Sequence, residues 1–329
     1  MKYRQLGSTG ILVSEIGFGG SRIGGIFSGS SDVDSAQRAL ERALDEGITF
    51  YDTADMYAQG ESEALIGRTF RKRRDEVIIA TKGGYRIPTK RAFVSKLKPL
   101  LRPIIRLLKA KRGATAMRAS GSLSQEFTPE YITSAVEASL RRLKTDHIDL
   151  YQLHSPPPNL IAEGVCAETL QSLKQAGKIR FYGIAADCVN DAEVALAFPG
   201  ASSIQVPLGF LDPEAMTTFL PRAASQNIGV IVRGCYGAGL LKDTLSDQER
   251  QSSGKGRQIQ ELRDFAQEQN RTVLDSALHF ALAGDGVSVA LIGMRTVEHV
   301  TSNLLHYNAR PFSAGELQAL RRAATEKKG

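Results

Sequence analysis

Short apolar runs rich in β-branched residues recur along the chain, and each gives way to a stretch whose apolar positions return at helical spacing. The runs cover residues 16–19, 48–51, 77–81, 148–153, 179–184, 203–207, 229–232 and 287–292. Most are continuous rather than alternating, as parallel strands covered on both faces require. After the first run, Ala36, Ala39, Leu40, Ala43 and Leu44 keep one helical face. After the third, Thr128-Pro129-Glu130 starts a helix with an N-cap hydroxyl, a proline at the first position and an acid in the first turn. Ile132, Ala135, Val136, Leu140 and Leu143 then form its buried stripe, with the small Ser139 between them. Further helices are expected over 169–175, 191–197, 258–269, 273–283 and 297–306.

Eight alternations of strand and helix predict an α/β fold of the (β/α)8 TIM-barrel type. A doubly wound sheet is the alternative, but Gly17-Phe18-Gly19-Gly20 has the wrong spacing for the G-x-G-x-x-G turn of a dinucleotide-binding sheet. Residues 2–6 and 11–13 flank Gly7-Ser8-Thr9-Gly10 and predict an N-terminal β-hairpin able to close one end of the barrel. Residues 313–326 predict an extra C-terminal helix. No linker rich in Pro, Gly or Ser divides the chain, so residues 1–329 are expected to form one domain. A long insertion, 86–120, follows the third strand. Leu100, Leu101, Ile104, Ile105 and Leu108 give its middle a helical face that must start near Pro99 or Pro103.

Composition narrows the class. With 329 residues, 42% of them hydrophobic, the chain can bury a large core. No run approaches the length of a membrane span, and the N-terminus lacks the apolar core of a signal peptide, so a cytoplasmic location is expected. Cys166, Cys188 and Cys235 are widely spaced and suggest neither a disulfide framework nor a zinc ribbon. The net charge of +7 is local: Arg86 to Arg118 holds eleven Lys or Arg and no acid, so the remainder carries −4. A general nucleic-acid binder is therefore not expected.

In such a barrel the chemistry lies at the C-terminal ends of the strands. There the chain places Asp52 and Tyr57 after strand two, Lys82 after strand three and His154 after strand four. Singly, these are ordinary: a capping acid, a packing tyrosine, a solvated lysine, a hydrogen-bonded histidine. Together on consecutive strands they form a set with complementary proton chemistry.

The motifs around them resemble the aldo-keto reductase family. Phe50-Tyr51-Asp52-Thr53-Ala54 with Tyr57 and Gly60-x-Ser62-Glu63 is similar to the family's segment after strand two. Ile148 to His154 is similar to its strand-four motif, and Gly177-Lys178-Ile179-Arg180-x-x-Gly183 to the start of strand five. The resemblance runs from about Arg4 to Asn303. It implies a tetrad of Asp52, Tyr57, Lys82 and His154 that reduces a carbonyl without a metal. Tyr57 would give the proton, with its phenol lowered by Lys82; Asp52 would hold Lys82; His154 would orient the carbonyl oxygen. The hydride must come from a cofactor. The resemblance implies NADP(H), held by Gly19 and Gly20 with Asp52, by Gln205 at the carboxamide, by Arg233 against the nicotinamide, and by Gly234, Cys235, Gly239 and Leu240. Gly293, Arg295, Thr296, His299 and Asn303 would take the adenosine end, where a helix N-terminus and an arginine fork suit a 2′-phosphate. One departure stands out: the family's Ser-Asn pair after strand five is replaced by Ala185-Ala186, followed by Asp187.

The expected substrate is a small-molecule carbonyl, with no nucleic-acid or membrane partner and a monomeric or weakly homo-oligomeric state. The basic insertion has two readings: a rim helix with a solvated face, or a cover favouring an anionic substrate such as a phosphorylated or nucleotide-linked sugar. Two other functions share the barrel: a lyase with Lys82 as Schiff-base nucleophile, and a non-catalytic NADP-binding regulatory subunit.

Overall fold

The computed structural model describes residues 1–24, 33–86, 124–241 and 254–325. Strands β1 (Tyr3–Gln5) and β2 (Leu12–Ser14) pair antiparallel. Eight parallel strands then close into a barrel: β3 (Ile16–Gly19), β4 (Phe50–Asp52), β5 (Ile78–Gly83), β6 (Ile148–His154), β7 (Ile179–Ala185), β8 (Ser203–Pro207), β9 (Gly229–Arg233) and β10 (Val287–Gly293). Each pairs with its neighbours in chain order, and β10 returns to β3 with Gly293 opposite Gly19. The surrounding helices are α1 (Val33–Asp45), α2 (Glu61–Thr69), α3 (Pro129–Leu143), α4 (Pro158–Ala162), α5 (Ala167–Gln175), α6 (Val189–Ala195), α7 (Phe219–Ser225), α8 (Gly256–Glu268), α9 (Val273–Leu282), α10 (Val297–Tyr307) and α11 (Ala314–Thr325). This is the (β/α)8 barrel with its hairpin and C-terminal helix. Among the described residues no helix is long and apolar enough to cross a membrane.

The strand ends carry information that hydrophobic patterning lacks. β4, β5, β6, β9 and β10 run one or two residues past their apolar runs, so Asp52, Lys82, His154, Arg233 and Gly293 belong to strands rather than loops. Lys82 lies opposite Gln152, and His154 opposite Ala185. The polar side chains of these last positions face the barrel mouth, while their backbones still complete the ladder.

Three helices were not anticipated by periodicity. Helix α2 contains Gly67, a weak helix former; a Cβ there would lie 2.2 Å from the Leu143 carbonyl oxygen, so only glycine lets α2 approach the end of α3. Helix α7 contains Pro221, tolerated because it falls in the first turn, where no intrahelical N–H bond is lost. Helix α4 is five residues long, too short to show a period. The start of α3 is as its sequence dictates, with the Thr128 hydroxyl accepting from the Tyr131 N–H at 3.3 Å.

One apolar layer lies between barrel and helices. A second fills the barrel's lower end, where Phe50, Ala80, Leu150, Ile231 and Val289 meet Leu6, Ile11 and Val13. The hairpin thus plugs the N-terminal mouth. A third cluster joins α8, α9 and α11 through Leu262, Phe265, Phe280 and Leu320. Above the plug the interior becomes polar, with Asp52, Lys82, Gln152 and Gln205 all buried. That change of character places the site. Residues 87–123, which hold nearly all of the basic insertion and its expected helix, lie outside the described residues.

Candidate active site

Asp52, Tyr57, Lys82 and His154 converge at the C-terminal mouth. Lys82 is fully buried, and its Nζ donates to both Asp52 oxygens, at 2.6 and 2.7 Å, and to the Thr53 carbonyl at 2.9 Å. The ammonium lies 5.2 Å from the centre of the Tyr57 ring. The His154 ring meets Tyr57 edge to face at 5.8 Å between centroids, and Tyr85 packs on it the same way at 5.0 Å.

The backbone around them is strained. Ala58 and Gln59, directly after Tyr57, have φ of 50° and 61°, and Ser155, directly after His154, has φ of 53°. A left-handed non-glycine residue costs about 1–2 kcal/mol, so neighbours must enforce it. At Ser155 they are visible: its hydroxyl donates to Asp187 at 2.6 Å, and the Gln125 amide donates to its carbonyl at 2.7 Å.

Burial governs the proton affinities. It pushes the Tyr57 phenol up, against the opposing pull of Lys82 and, more weakly, Arg233. Lys82 lowers the phenol as expected, but desolvation of the phenolate outweighs that pull. Burial also works against the Lys82 ammonium, yet Asp52 and Tyr57 together more than offset it, and the net direction is upward. His154 is pushed down to about 3 by burial, with Lys82 and Arg233 adding to the effect, so the imidazole is neutral at ordinary pH. A lysine held charged by a bidentate acid has no lone pair to attack a carbonyl, and the Schiff-base reading of Lys82 gains no support.

A cleft of about 240 Å3 opens beside Tyr57 and Asp52. Gly19, Gln205 and the β9 loop residues Arg233, Gly234, Cys235 and Gly239 line one part of it, and Gly293, Arg295 and His299 another. Lys82 and His154 do not line it, and neither do four of the residues proposed from sequence as cofactor contacts. Gly20 packs beneath Ser62, whose hydroxyl donates to its carbonyl at 3.0 Å. Leu240 packs on the cluster of α8 and α9. Thr296 caps α10, accepting from the His299 N–H, and Asn303 is buried along that helix. Conversely, Ser21, Arg22, Tyr236, Ala238, Leu291 and Ile292 line the cleft and were not picked out. For Arg22 a signal existed, since it follows the Gly-Gly that ends the first strand.

Two details bear on the Ala185-Ala186 departure. Arg233 donates through Nη2 to the carbonyls of Ala186 and Asp187, at 3.0 and 3.1 Å, so it grips this loop by its backbone. Gln205 donates through Nε2 to Asp52 at 3.1 Å, which leaves its Oε1 as the end able to accept from a carboxamide.

The family model described as the Aldo/keto reductase family matches residues 15–325. The chain belongs to the aldo-keto reductases. It is 29% identical to the uncharacterized oxidoreductase YqkF of Bacillus subtilis, over 97% of this chain and 95% of that relative. The holo form of aldo-keto reductase AKR11C1 from Bacillus halodurans superposes with a TM-score of 0.78 at 28% identity, covering 98% of this chain and 96% of that one. The glycerol dehydrogenase AKR11B4 from Gluconobacter oxydans superposes with a TM-score of 0.76 at 25% identity, covering 98% and 94%. Similarity thus extends over nearly the whole chain of this aldo-keto reductase.

Proposed function

We propose that this aldo-keto reductase reduces an aldehyde or ketone with NADPH, using Tyr57 as proton donor. The observation that carries the reading is the buried Asp52–Lys82 pair beneath Tyr57, beside neutral His154 and at the wall of the cleft. Bound in the cleft, the cofactor supplies the hydride to the carbonyl carbon. Lys82 stabilises the developing phenolate as Tyr57 protonates the oxygen, Asp52 holds Lys82 in place, and His154 orients the oxygen.

The cleft suits a phosphorylated dinucleotide. It is lined by Arg22, Arg233 and Arg295, with Asp52, already paired to Lys82, the acid among its lining residues. Arg295 stands before the capped N-terminus of α10, which adds N–H donors and a positive dipole end for a 2′-phosphate. Gln205 Oε1 would accept from the carboxamide in place of the missing Ser-Asn pair.

The test is a panel of aldehydes and ketones read by loss of reduced-cofactor absorbance, with NADPH and NADH in parallel. NADPH should be preferred. Tyr57→Phe should lower kcat by about 10²–10⁴-fold while cofactor affinity stays near that of the unaltered enzyme; unchanged turnover would remove Tyr57 from the reaction.

A further inference from the structure

Behind the tetrad lies a second buried cluster that the reaction as described does not use. Asp55 is buried two residues before Tyr57, and its N–H donates to the Lys82 carbonyl at 3.0 Å. Its Oδ1 has no hydrogen-bond partner among the described residues, and neither does the hydroxyl of Tyr151, which is fully buried on β6. Both side chains press on Gly83 of β5. A Cβ built there would lie 2.0 Å from the Tyr151 hydroxyl and 3.3 Å from Asp55 Oδ2, so a glycine is what lets the phenol and the carboxyl approach one another.

The charges do not balance around this carboxyl. Three acids, Asp52, Asp55 and Glu63, are buried here. Two cations serve them. Lys82 is committed to Asp52. Arg142 of α3 donates through Nε to Glu63 at 2.5 Å, and Glu63 also accepts from the Thr81 hydroxyl at 2.6 Å. Among the described residues, Asp55 is left without a cation paired to it. An isolated buried carboxylate costs far more than a neutral acid in the same place.

We propose that Asp55 is a positioning residue whose protonation beside Tyr151 sets the proton-donating strength of Tyr57 through Lys82. When Asp55 loses its proton to solvent, the new negative charge interacts with Lys82 and diminishes the ammonium's ability to stabilise a phenolate on Tyr57. Proton delivery to the carbonyl oxygen slows. The groups facing Asp55 fix the direction of its titration. Burial raises its pKa, Glu63 of α2 raises it further, and Arg142 of α3 and Lys82 of β5 oppose, with a result of about 7. Tyr151 of β6 and Tyr131 of α3 feel Asp55 in turn, each pushed up by burial first and by the Asp55 charge second.

The inference rests on Tyr57 as proton donor, and the experiment separates the two. Infrared spectra of the full chain, recorded through neutrality, should show the carbonyl stretch of a protonated carboxylic acid in mild acid. The band should vanish as pH rises through about 7, be absent from Asp55→Asn, and survive in Tyr57→Phe. This readout needs no catalysis. In steady state with saturating cofactor, kcat for carbonyl reduction should fall severalfold through the same window in the unaltered enzyme, with KM nearly constant. In Asp55→Asn, whose side chain stays neutral, kcat should be level across it. The same falling limb in Asp55→Asn, or no protonated acid near neutrality in the unaltered chain, overturns the proposal. The second result decides it even if the variant does not fold. Unchanged turnover in Tyr57→Phe would instead sink the reading of Tyr57 and leave the infrared result standing.

Discussion

At the scale of single residues, the Asp52–Lys82 pair is the feature on which both stability and the proposed chemistry depend. Two opposite charges have been taken out of water, and each is tolerable only because of the other. Lys82→Met leaves Asp52 as an uncompensated buried acid and should destabilise the fold by about 3–5 kcal/mol. Adding Asp52→Leu should restore much of that loss while activity remains absent. Urea denaturation of both variants checks the point; a single variant as stable as the unaltered enzyme would show that the pair is solvated. His154 illustrates how environment overrides residue type. A free imidazole changes charge near neutrality, but burial beside Lys82 and Arg233 keeps this one neutral. It therefore remains a neutral group that can donate a hydrogen bond to a carbonyl oxygen.

At the scale of elements, the contact of α2 with α3 depends on the absence of a side chain at Gly67. Alanine is the better helix former by about 1 kcal/mol, yet its Cβ would meet the Leu143 backbone oxygen at 2.2 Å. Main chain cannot move aside as a flexible side chain does. Gly67→Ala should therefore lower the melting temperature, and because α2 follows the Tyr57 turn, kcat should fall with it. Gly315→Ala on α11 is the control, since nothing lies within 4 Å of the added carbon. It should stabilise by about 0.4–1 kcal/mol through the unfolded chain. Thermal melts of the two variants shifting in the same direction would refute this account of α2.

At the scale of the whole molecule, the cleft proposed for the cofactor joins loops from β3, β9 and β10, so a ligand there ties the last strands to the first across the seam of the barrel. Binding only the folded state stabilises by mass action, about 2.7 kcal/mol at a hundredfold excess over Kd. NADPH should raise the melting temperature more than NADH at equal concentration, and Arg295→Ala should erase that difference. An equal response to both cofactors in the unaltered enzyme would argue against Arg295 as the phosphate ligand. The barrel itself, its eight strands, the hairpin and the C-terminal helix were legible along the chain because parallel strands and amphipathic helices write their burial as local periodicity. Asp52, Tyr57, Lys82 and His154 were legible as candidates, because three stand at strand ends and Tyr57 in the turn after β4, each in a recognisable motif. The shape of the cleft was not. Gly20, Leu240, Thr296 and Asn303 sit in the right segments but turn their side chains or backbone elsewhere, while Arg22 and Tyr236 turn inward. Nor could the chain alone show Asp55 without a paired cation among the described residues, or burial outweighing Lys82 at Tyr57. Periodicity reports how often a residue returns to one face. Which charges neutralise one another, and how much water each retains, depends on residues such as Asp55, Glu63, Arg142 and Tyr151, distant in sequence and brought together only when the sheet closes.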